Sequence, residues 1–337
     1  MACAGCYTGH AMDYSIARGS FAGLEQEWRE LLPQCPNNHV FLTPEWQSAW
    51  WRAFGGDDAL MLFSVQRDGE LVGVVPFMRQ GAGLSFIGSP DVCDYMDFIA
   101  REGEEKAVMS LLLDRLAAMS WESIALHSLL PRSLALAHFV PEAERRGYRV
   151  DTTVEDVSPQ LVLPSTWDGY MSLLAKKQRH ELRRKLRRLD QTRSASFHSV
   201  TDRGGIVAEL ECFFRLFELS EGEKAGFMTE ERRAFFETMV RALAARGYVR
   251  LWFLEIGRVR AATVLCFDYG NDLYLYNSGY DSEYSSLSAG LILKVHCLEQ
   301  GIVEGKRRFD FLRGSEPYKY NLGAEDVLLY RCVISRS

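Results

Sequence analysis

Residues 309–319 combine the side chains best suited to acid-base chemistry. Asp310 lies between two phenylalanines, so the alternation of a strand would direct its carboxylate away from their rings. Arg313, Glu316 and Lys319 follow just after the predicted strand end. Ligands of α/β folds bind at such strand ends, where a carboxylate can act as a base and an amine can hold an anion. The alternative is a salt-bridged strand edge without a ligand.

The second stretch is a run of small residues, 285–290, that precedes an apolar helix. The first backbone N–H groups of a helix, together with its dipole, form an anion site, and a pyrophosphate could bind there. An ordinary helix start capped by Ser286 or Ser288 would have the same pattern. The candidate cofactor-binding residues are Ser285, Ser286, Ser288, Ala289 and Gly290.

The third stretch is strongly basic. Leu182, Leu186 and Leu189 have the i, i+4, i+7 spacing of a helix with a narrow apolar seam, and most other residues of 176–189 are lysine or arginine. Like charges at this density destabilise an isolated helix, so an anionic partner is expected. Phosphates of a carrier or nucleotide, RNA and an acidic membrane surface all qualify. A merely solvated helix face is the other interpretation.

A fourth stretch, residues 88–97, places three carboxylates and a tyrosine at a turn that leads into a predicted strand. Asp94 and Tyr95 could hold a polar acceptor, although such clusters also cap turns. These two residues are therefore candidates for substrate binding.

No metal site is predicted. Cys3, Cys6, Cys35 and His39 could supply four zinc ligands, but their spacing is irregular. The sequence also lacks the motifs of serine hydrolases with a nucleophile elbow, P-loop NTPases and zincin proteases.

The elements that must position these residues belong to an ordinary globular chain. Its 337 residues are more than one hydrophobic core usually supports, which suggests two domains.

No apolar stretch approaches the roughly 20 residues that span a bilayer, and the N-terminus does not have the pattern of a secretory signal. Eight scattered cysteines suit a reducing compartment, so a cytoplasmic location is expected. The net charge of −6 argues against indiscriminate nucleic-acid binding.

Periodicity predicts mixed α/β order in two successive halves. A hairpin with a Gly-containing turn occurs in each half, at residues 65–77 and 254–267. We therefore predict a flexible tail at 1–12, an N-terminal domain at 13–160 and a C-terminal domain at 161–337 that contains the basic helix 176–189. Helices are expected at 21–32, 46–54, 104–120, 133–146, 167–191, 206–220, 230–246 and 290–304. Strands are expected at 60–67, 70–77, 84–87, 96–99, 123–126, 148–153, 248–256, 259–268, 272–279 and 308–312.

The order of these motifs resembles the GNAT-fold acetyltransferases found with bacterial cellulose and exopolysaccharide synthesis genes, which are similar to the Fem-type aminoacyltransferases. The resemblance covers about residues 40–330 and is most specific in the Phe-Asp-Phe-Leu-Arg-Gly-Ser-Glu-Pro-Tyr-Lys run of 309–319. Trp-Asp-Gly-Tyr at 167–170, Arg-His-Glu-Leu-Arg-Arg at 179–184, Tyr-Asp at 280–281 and Leu-Ser-Ala-Gly at 287–290 also contribute.

The resemblance implies an α/β fold of two tandem GNAT-like domains in a Fem-like arrangement, and transfer of an acyl group from acyl-CoA, such as acetyl-CoA, to an amine or hydroxyl. The acceptor would be a small molecule, a saccharide or a peptide. In GNAT enzymes the loop matching residues 285–290 cradles the coenzyme A pyrophosphate; Gly290 fits that loop's pattern, whereas Ser285 and Ser288 depart from it. Fem-type relatives with a degenerate loop use aminoacyl-tRNA, so tRNA is the alternative donor. A non-catalytic binding protein that keeps the fold is a third hypothesis.

Direct transfer would need a base, anion holders and a proton donor for the leaving thiolate. Asp310 is the first candidate for the base, and Glu316 is the second. Lys319 and Arg313 would hold anionic groups of the donor or acceptor. Three further residues complete the predicted site: Arg179 as a phosphate contact, and Tyr318 or Tyr280 as the proton donor.

Overall fold

The computed structural model describes residues 13–56, 59–192, 194–220 and 226–336. The predicted tail 1–12, with Cys3 and Cys6, lies outside the described residues. Within them, thirteen strands form one mixed sheet, with twelve strands in a single path and β5 paired beside β3. The order along the path is β1, β2, β3, β4, β6, β13, β7, β12, β11, β10, β9, β8.

Apolar runs rich in Val, Phe and Leu form the N-terminal part of this sheet. The predicted hairpin is confirmed, and its turn residues Asp68 and Gly69 both have positive φ, 52° and 83°, as tight two-residue hairpins require. The strands of this half are β1 (Tyr14–Arg18), β2 (Ala59–Arg67), β3 (Glu70–Gln80), β4 (Gly83–Phe86), β5 (Ile99–Ala100), β6 (Ser123–Leu129) and β7 (Arg149–Val162).

The C-terminal part repeats that topology. Strand β4 pairs in parallel with β6 across helix α3 (Glu105–Ala117). Strand β11 (Asp272–Tyr280) pairs in parallel with β12 (Arg308–Asp310) across helix α9 (Ala289–Val303). In each half the parallel pair follows an antiparallel hairpin. The strands of this half are β8 (Ala195–Val200), β9 (Val249–Ile256), β10 (Val259–Tyr269), β11 (Asp272–Tyr280), β12 (Arg308–Asp310) and β13 (Glu325–Ser335).

The helices cover both faces of the sheet. Thr43, Thr166, Asp202 and Thr229 each cap a helix start with a side-chain oxygen, as N-cap residues do. The α-helices are α1 (Phe21–Leu31), α2 (Pro44–Phe54), α3 (Glu105–Ala117), α4 (Val140–Arg145), α5 (Trp167–Leu173), α6 (Lys176–Asp190), α7 (Arg203–Glu218), α8 (Glu230–Ala244), α9 (Ala289–Val303) and α10 (Pro317–Asn321).

The two halves share one sheet and one large hydrophobic cluster that contains residues of both. Strand β13, at the end of the chain, lies between β6 and β7, and the predicted boundary at residue 160 falls inside β7. Trp46 of α2 packs edge-on against Phe235 of α8, with ring centroids 5.6 Å apart. The predicted division at residue 160 therefore separates two chain segments that are joined by strand pairing and by apolar packing.

Several predicted elements are wrong at their ends, and the strand predicted at 148–153 continues to Val162. The helix predicted at 167–191 is broken, because Leu174 and Ala175 are extended and Leu174 is buried in the core. The strand predicted at 308–312 ends at Asp310, because Leu312 has a φ of 60°. The strand predicted at 96–99 is wrong except at Ile99: the strand is Ile99–Ala100, and before it the Asp97 carboxylate accepts the Phe98 N–H.

The helix predicted at 133–146 is a π-helical segment, Ala135–Phe139, that continues into α4. Pro141 follows this segment and has no N–H to donate, which favours such an irregular turn. The basic helix predicted at 176–189 is confirmed as α6.

Candidate active site

The candidate site begins where strands β11 and β12 separate. They pair in parallel only over Asp272–Tyr274 and Arg308–Asp310. Beyond Asp310 the chain follows β7 instead: the Phe311 N–H donates to the Pro159 carbonyl and the Gly314 N–H to the Val157 carbonyl, each at 3.0 Å. Strand β11 continues to Tyr280. A gap therefore opens at the carboxyl ends of two parallel strands, where α/β folds bind ligands.

Strand β11 is distorted beside this gap. Its register with β10 shifts between Leu265 and Cys266, which leaves Tyr276 as an extra residue on β11. A bulge of this kind bends a strand and redirects its side chains. Further along, α7 packs so closely that a Cβ on Gly279 would lie 2.5 Å from the backbone of Leu216. Glycine at 279 thus allows α7 to line the gap.

The small-residue loop and the basic helix come together next to the gap. Ser288 has a left-handed backbone, with φ 57°, and no side chain caps the start of α9. Lys185 Nζ donates to Ser288 Oγ at 2.9 Å, and an Arg188 N–H donates to the Ser286 carbonyl at 2.8 Å. The loop 285–290 with Lys185 and Arg188 is called the cradle below. It combines uncapped helix N–H groups with two cations, which is the chemistry of a phosphate site.

A cavity of about 360 Å³ lies between α6, α9 and α10, next to the cradle. Tyr318 lines it, with its ring 5.0 Å from Lys294 Nζ, and burial raises the pKa of the Tyr318 phenol. Tyr280 lies against the first turn of α9, since a Cβ on Gly290 would be 3.1 Å from its ring. Arg179 is outside the cradle: its guanidinium donates to the Met171 carbonyl at 3.2 Å.

Asp310 is completely buried behind Tyr95. The Tyr95 hydroxyl is 2.8 and 2.9 Å from the two Asp310 carboxylate oxygens, and the Leu312 N–H donates to one of them at 2.9 Å. Burial raises the pKa of Asp310 to about 7, although the charge of Arg308 and these hydrogen bonds oppose the rise. The carboxylate has no exposed surface for a substrate, so its influence on an acceptor would pass through Tyr95.

Lys319 is also buried, with 2% of its surface exposed. Its ammonium donates to the carbonyls of Leu312, Arg313 and Gly314 at 3.0, 2.7 and 2.9 Å. These bonds hold the turn that carries the chain away from β11. Glu316, by contrast, is a largely exposed carboxylate that pairs with the same ammonium at 2.9 Å.

A second cavity, of about 300 Å³, opens on the gap from the side of the N-terminal half. Asp94 lines it and is partly exposed; its carboxylate accepts the Arg313 N–H at 2.9 Å, and burial raises its pKa. The Arg313 guanidinium points to Glu155 and Asp156. The cavity is lined by residues that include Asp91, Asp94, Phe217, Phe227, Tyr276 and Arg313.

The structure thus separates the predicted site residues into three groups. The cradle, Tyr280 and Tyr318 lie on the side of α6 and α9. Asp94 and the backbone of Arg313 lie at the opposite cavity, and Asp310, Tyr95 and Lys319 form the buried wall between β12 and β7. The sequence does not single out Lys185 or Arg188, because their contacts with Ser288 and Ser286 join residues that are 103 and 98 positions apart in the chain. Their membership of the basic run was the only signal.

In the described ranges, no group of three or more His, Cys, Asp and Glu side chains is arranged to hold a metal ion. No helix in the same ranges is long and apolar enough to cross a membrane.

Residues 176–320 match the family model described as an acetyltransferase (GNAT) domain. No curated protein matches the chain. Three solved structures share its overall fold at 12% identity. FemX has a TM-score of 0.63, with 94% of this chain and 96% of FemX covered. A protein of unknown function from Bacteroides thetaiotaomicron has a TM-score of 0.61, with 95% and 99% covered. L-PGS from Bacillus licheniformis has a TM-score of 0.54, with 93% and 91% covered. The predicted fold class, a mixed α/β sheet with a GNAT domain in a Fem-like arrangement, is confirmed.

Proposed function

We propose that the protein is an acyltransferase that moves an acyl group, acetyl in the simplest case, from acyl-CoA to an amine or hydroxyl of a small-molecule, sugar or peptide acceptor. The observation that carries the proposal is the contact of helix α6 with the loop 285–290 beside the open ends of β11 and β12. This contact places cations and uncapped helix N–H groups together, and the pyrophosphate of coenzyme A requires both.

In this proposal the pyrophosphate occupies the cradle, where Lys185 and Arg188 exchange their loop oxygens for phosphate oxygens. The acyl thioester then reaches the gap between β11 and β12, and the acceptor enters from the cavity lined by Asp94. Binding energy from the distant phosphates would thus position the reacting carbonyl, which accounts for much of the rate in direct transfers.

The acceptor nitrogen or oxygen attacks the thioester carbonyl carbon, the C–S bond breaks, and coenzyme A leaves as a thiolate. A base takes the proton that the acceptor loses, and the thiolate gains a proton from an acid. Asp94 has the access that a base needs, whereas Asp310 would orient the acceptor through Tyr95 and Glu316 is a second exposed carboxylate. Tyr318 and Tyr280, on the donor side, are the candidates to protonate the thiolate.

An aminoacyl-tRNA donor is the second candidate. Helix α6 carries eight lysines and arginines against two acids, and Lys176, Lys177, Arg183 and Arg187 are exposed. A surface of this charge would suit a tRNA backbone, and the overall fold is shared with FemX. Under this hypothesis, tRNA binding should weaken steeply with salt.

The acceptor and the location belong to the proposal as well. An exopolysaccharide sugar is the first acceptor to test, given the resemblance stated above. The six cysteines of the described residues are free thiols, which supports a reducing, cytoplasmic location.

Calorimetric titration with acetyl-CoA tests the donor. We expect saturable binding that Lys185→Glu/Arg188→Glu weakens at least about a hundredfold, because each charge-assisted hydrogen bond to phosphate contributes about 1.5–3 kcal/mol. Arg183→Glu is the matched control: it reverses the same charge on the same helix but on the exposed side. We expect it to change the affinity less than about threefold.

Absence of binding to acetyl-CoA and longer acyl-CoAs would contradict the proposal. Titration of tRNA over a range of salt concentrations then decides between the alternatives. Salt-sensitive tRNA binding lost in Arg183→Glu would favour the aminoacyl-tRNA donor. Failure of both donors to bind would favour a non-catalytic protein that has kept the fold.

A further inference from the structure

A cavity of about 410 Å³ lies along the same strand pair and extends to the start of β12. Its walls include Arg307 and Arg308, where β12 begins, and Tyr274 of β11, which pairs with Asp310. In the part of the chain that the structure describes, this rear cavity shares no lining residue with the cavity beside the cradle or with the one lined by Asp94. Its volume falls within the range of roughly 300–1,000 Å³ that small-molecule sites occupy.

Two residues that line the rear cavity each have one buried polar atom without a hydrogen-bond partner. His39 is 6% exposed, its ring packs edge-on against Tyr95, and its Nδ1 has no partner. Asn37 donates to Asp97 at 2.6 Å and to the Phe98 carbonyl at 2.8 Å, but its Oδ1 has no partner. An unsatisfied buried polar group costs about 1–3 kcal/mol, so both atoms would gain from any polar group that reaches them.

His39 can offer both a donor and an acceptor. Burial, and then the charge of Arg308, lower the pKa of His39 to about 3. The imidazole is therefore neutral at physiological pH, with one protonated and one free nitrogen. Together with the Asn37 carbonyl oxygen, it suits the neutral polar part of a ligand, such as hydroxyl or amide groups.

The mouth of the rear cavity carries unbalanced positive charge. Arg307 and Arg308 both pair with Asp272, at 2.7 and 2.5 Å, so one carboxylate balances two guanidiniums. Arg132 is exposed at the rim and has no ion-pair partner among the described side chains. The one carboxylate in the wall, Asp97, already accepts the N–H groups of three backbone residues. An anion is the ligand group that this charge distribution favours.

We propose that the rear cavity is a second small-molecule site, which binds an anionic molecule with its carboxylate or phosphate against Arg132 and Arg307 and its neutral polar part against His39 and Asn37. The proposal does not depend on the acyl transfer proposed above, although Tyr95, which contacts Asp310, also lines the rear cavity.

Calorimetric titration of the full chain with inorganic phosphate, citrate and adenosine monophosphate tests this site. We expect at least one of these anions to bind in the rear cavity. Arg132→Glu should weaken that binding about tenfold or more, because it reverses the charge at the rim. Val327→Trp, which places a large side chain in the wall, should abolish it. Arg149→Glu, an exposed arginine of the same half, is the matched control and should leave the affinity within about threefold.

The cradle is the competing anion site, and Lys185→Glu/Arg188→Glu distinguishes the two. Binding in the rear cavity should persist in that variant. The proposal is overturned if none of the three anions binds, or if binding is lost in the cradle variant but kept in Arg132→Glu and Val327→Trp. Circular dichroism checks that each variant is folded. If Val327→Trp is unfolded, the result with Arg132→Glu, a substitution at an exposed position, decides the test.

Discussion

Replacing Asp310 by asparagine should flatten the dependence of the protein's stability on pH. Burial raises the pKa of Asp310 from its ordinary value of 3.8 to about 7. Between these two values the folded protein keeps a proton on Asp310 that the unfolded chain has released. The proton therefore stabilises the fold fully below the lower pKa, and this stabilisation is lost as the pH rises through the higher one.

The magnitude follows from the shift. One pKa unit corresponds to 1.36 kcal/mol, so a pKa of about 7 leaves about 3 kcal/mol of this stabilisation at pH 5 and almost none at pH 8. Burial raises the pKa of Asp97 to about 7 as well. Asp97 contributes equally to the wild-type protein and to Asp310→Asn, so it cancels when the two are compared.

The assay is urea unfolding at pH 5 and pH 8, which gives the free energy of unfolding at each pH. Between these pH values the wild-type protein should lose about 3 kcal/mol more than Asp310→Asn. Asp168→Asn, at an exposed position in the first turn of α5, is the control and should follow the wild-type protein. Equal losses in Asp310→Asn and the wild-type protein would refute the reasoning, because they would mean that Asp310 is already ionised in the fold at pH 5.

Three further substitutions test the buried wall and the contact of α7 with β11. Tyr95→Phe removes a hydrogen bond that lowers the pKa of Asp310, so the fall in stability should move to higher pH in the same urea series. Gly279→Ala should destabilise the protein by about 2–3 kcal/mol, because its Cβ would overlap the backbone of α7. Gly204→Ala, in the first turn of that helix, is the control and should be neutral or slightly stabilising. Thermal unfolding compares the two variants. Lys319→Met should cost about 3–5 kcal/mol in urea unfolding at pH 7, since it leaves three carbonyls without their donor, and a loss under 1 kcal/mol would show that the ammonium does not hold the turn.

The sequence predicts those parts of the fold that depend on nearby residues. The hairpin of β2 and β3 follows from apolar strands and an Asp-Gly turn, and α6 follows from three leucines at helical spacing. Both signals lie within about twenty residues, where periodicity and turn chemistry act directly. Most other helices and strands follow in the same way, but strands β1 and β8 and helix α10 are not predicted.

Elements fixed by distant partners escape this reasoning. Strand β13 was not predicted, because it gains its stability from pairing with β7 and β6, which precede it by more than a hundred residues. The break at Leu174 has a similar cause: the local sequence is compatible with a continuing helix, but the leucine side chain packs near Gly323, on the turn after α10. Tertiary packing overrides local helix propensity at such positions.

The candidate site shows the same limit in its chemistry. The sequence identifies Asp310 and Lys319 as residue types that could act on a substrate, but burial and partners decide what each can do. Asp310 meets Tyr95 across 215 residues, and Gln160 of β7 links that hydroxyl, at 3.1 Å, to Arg308, at 2.8 Å. A polar chain therefore runs from the rear cavity to the end of β12. Through this chain, a ligand bound in the rear cavity would change the electrostatic environment of Asp310. Urea unfolding over pH, with Asp310→Asn for comparison, would detect that change as a shift in the pH dependence of stability.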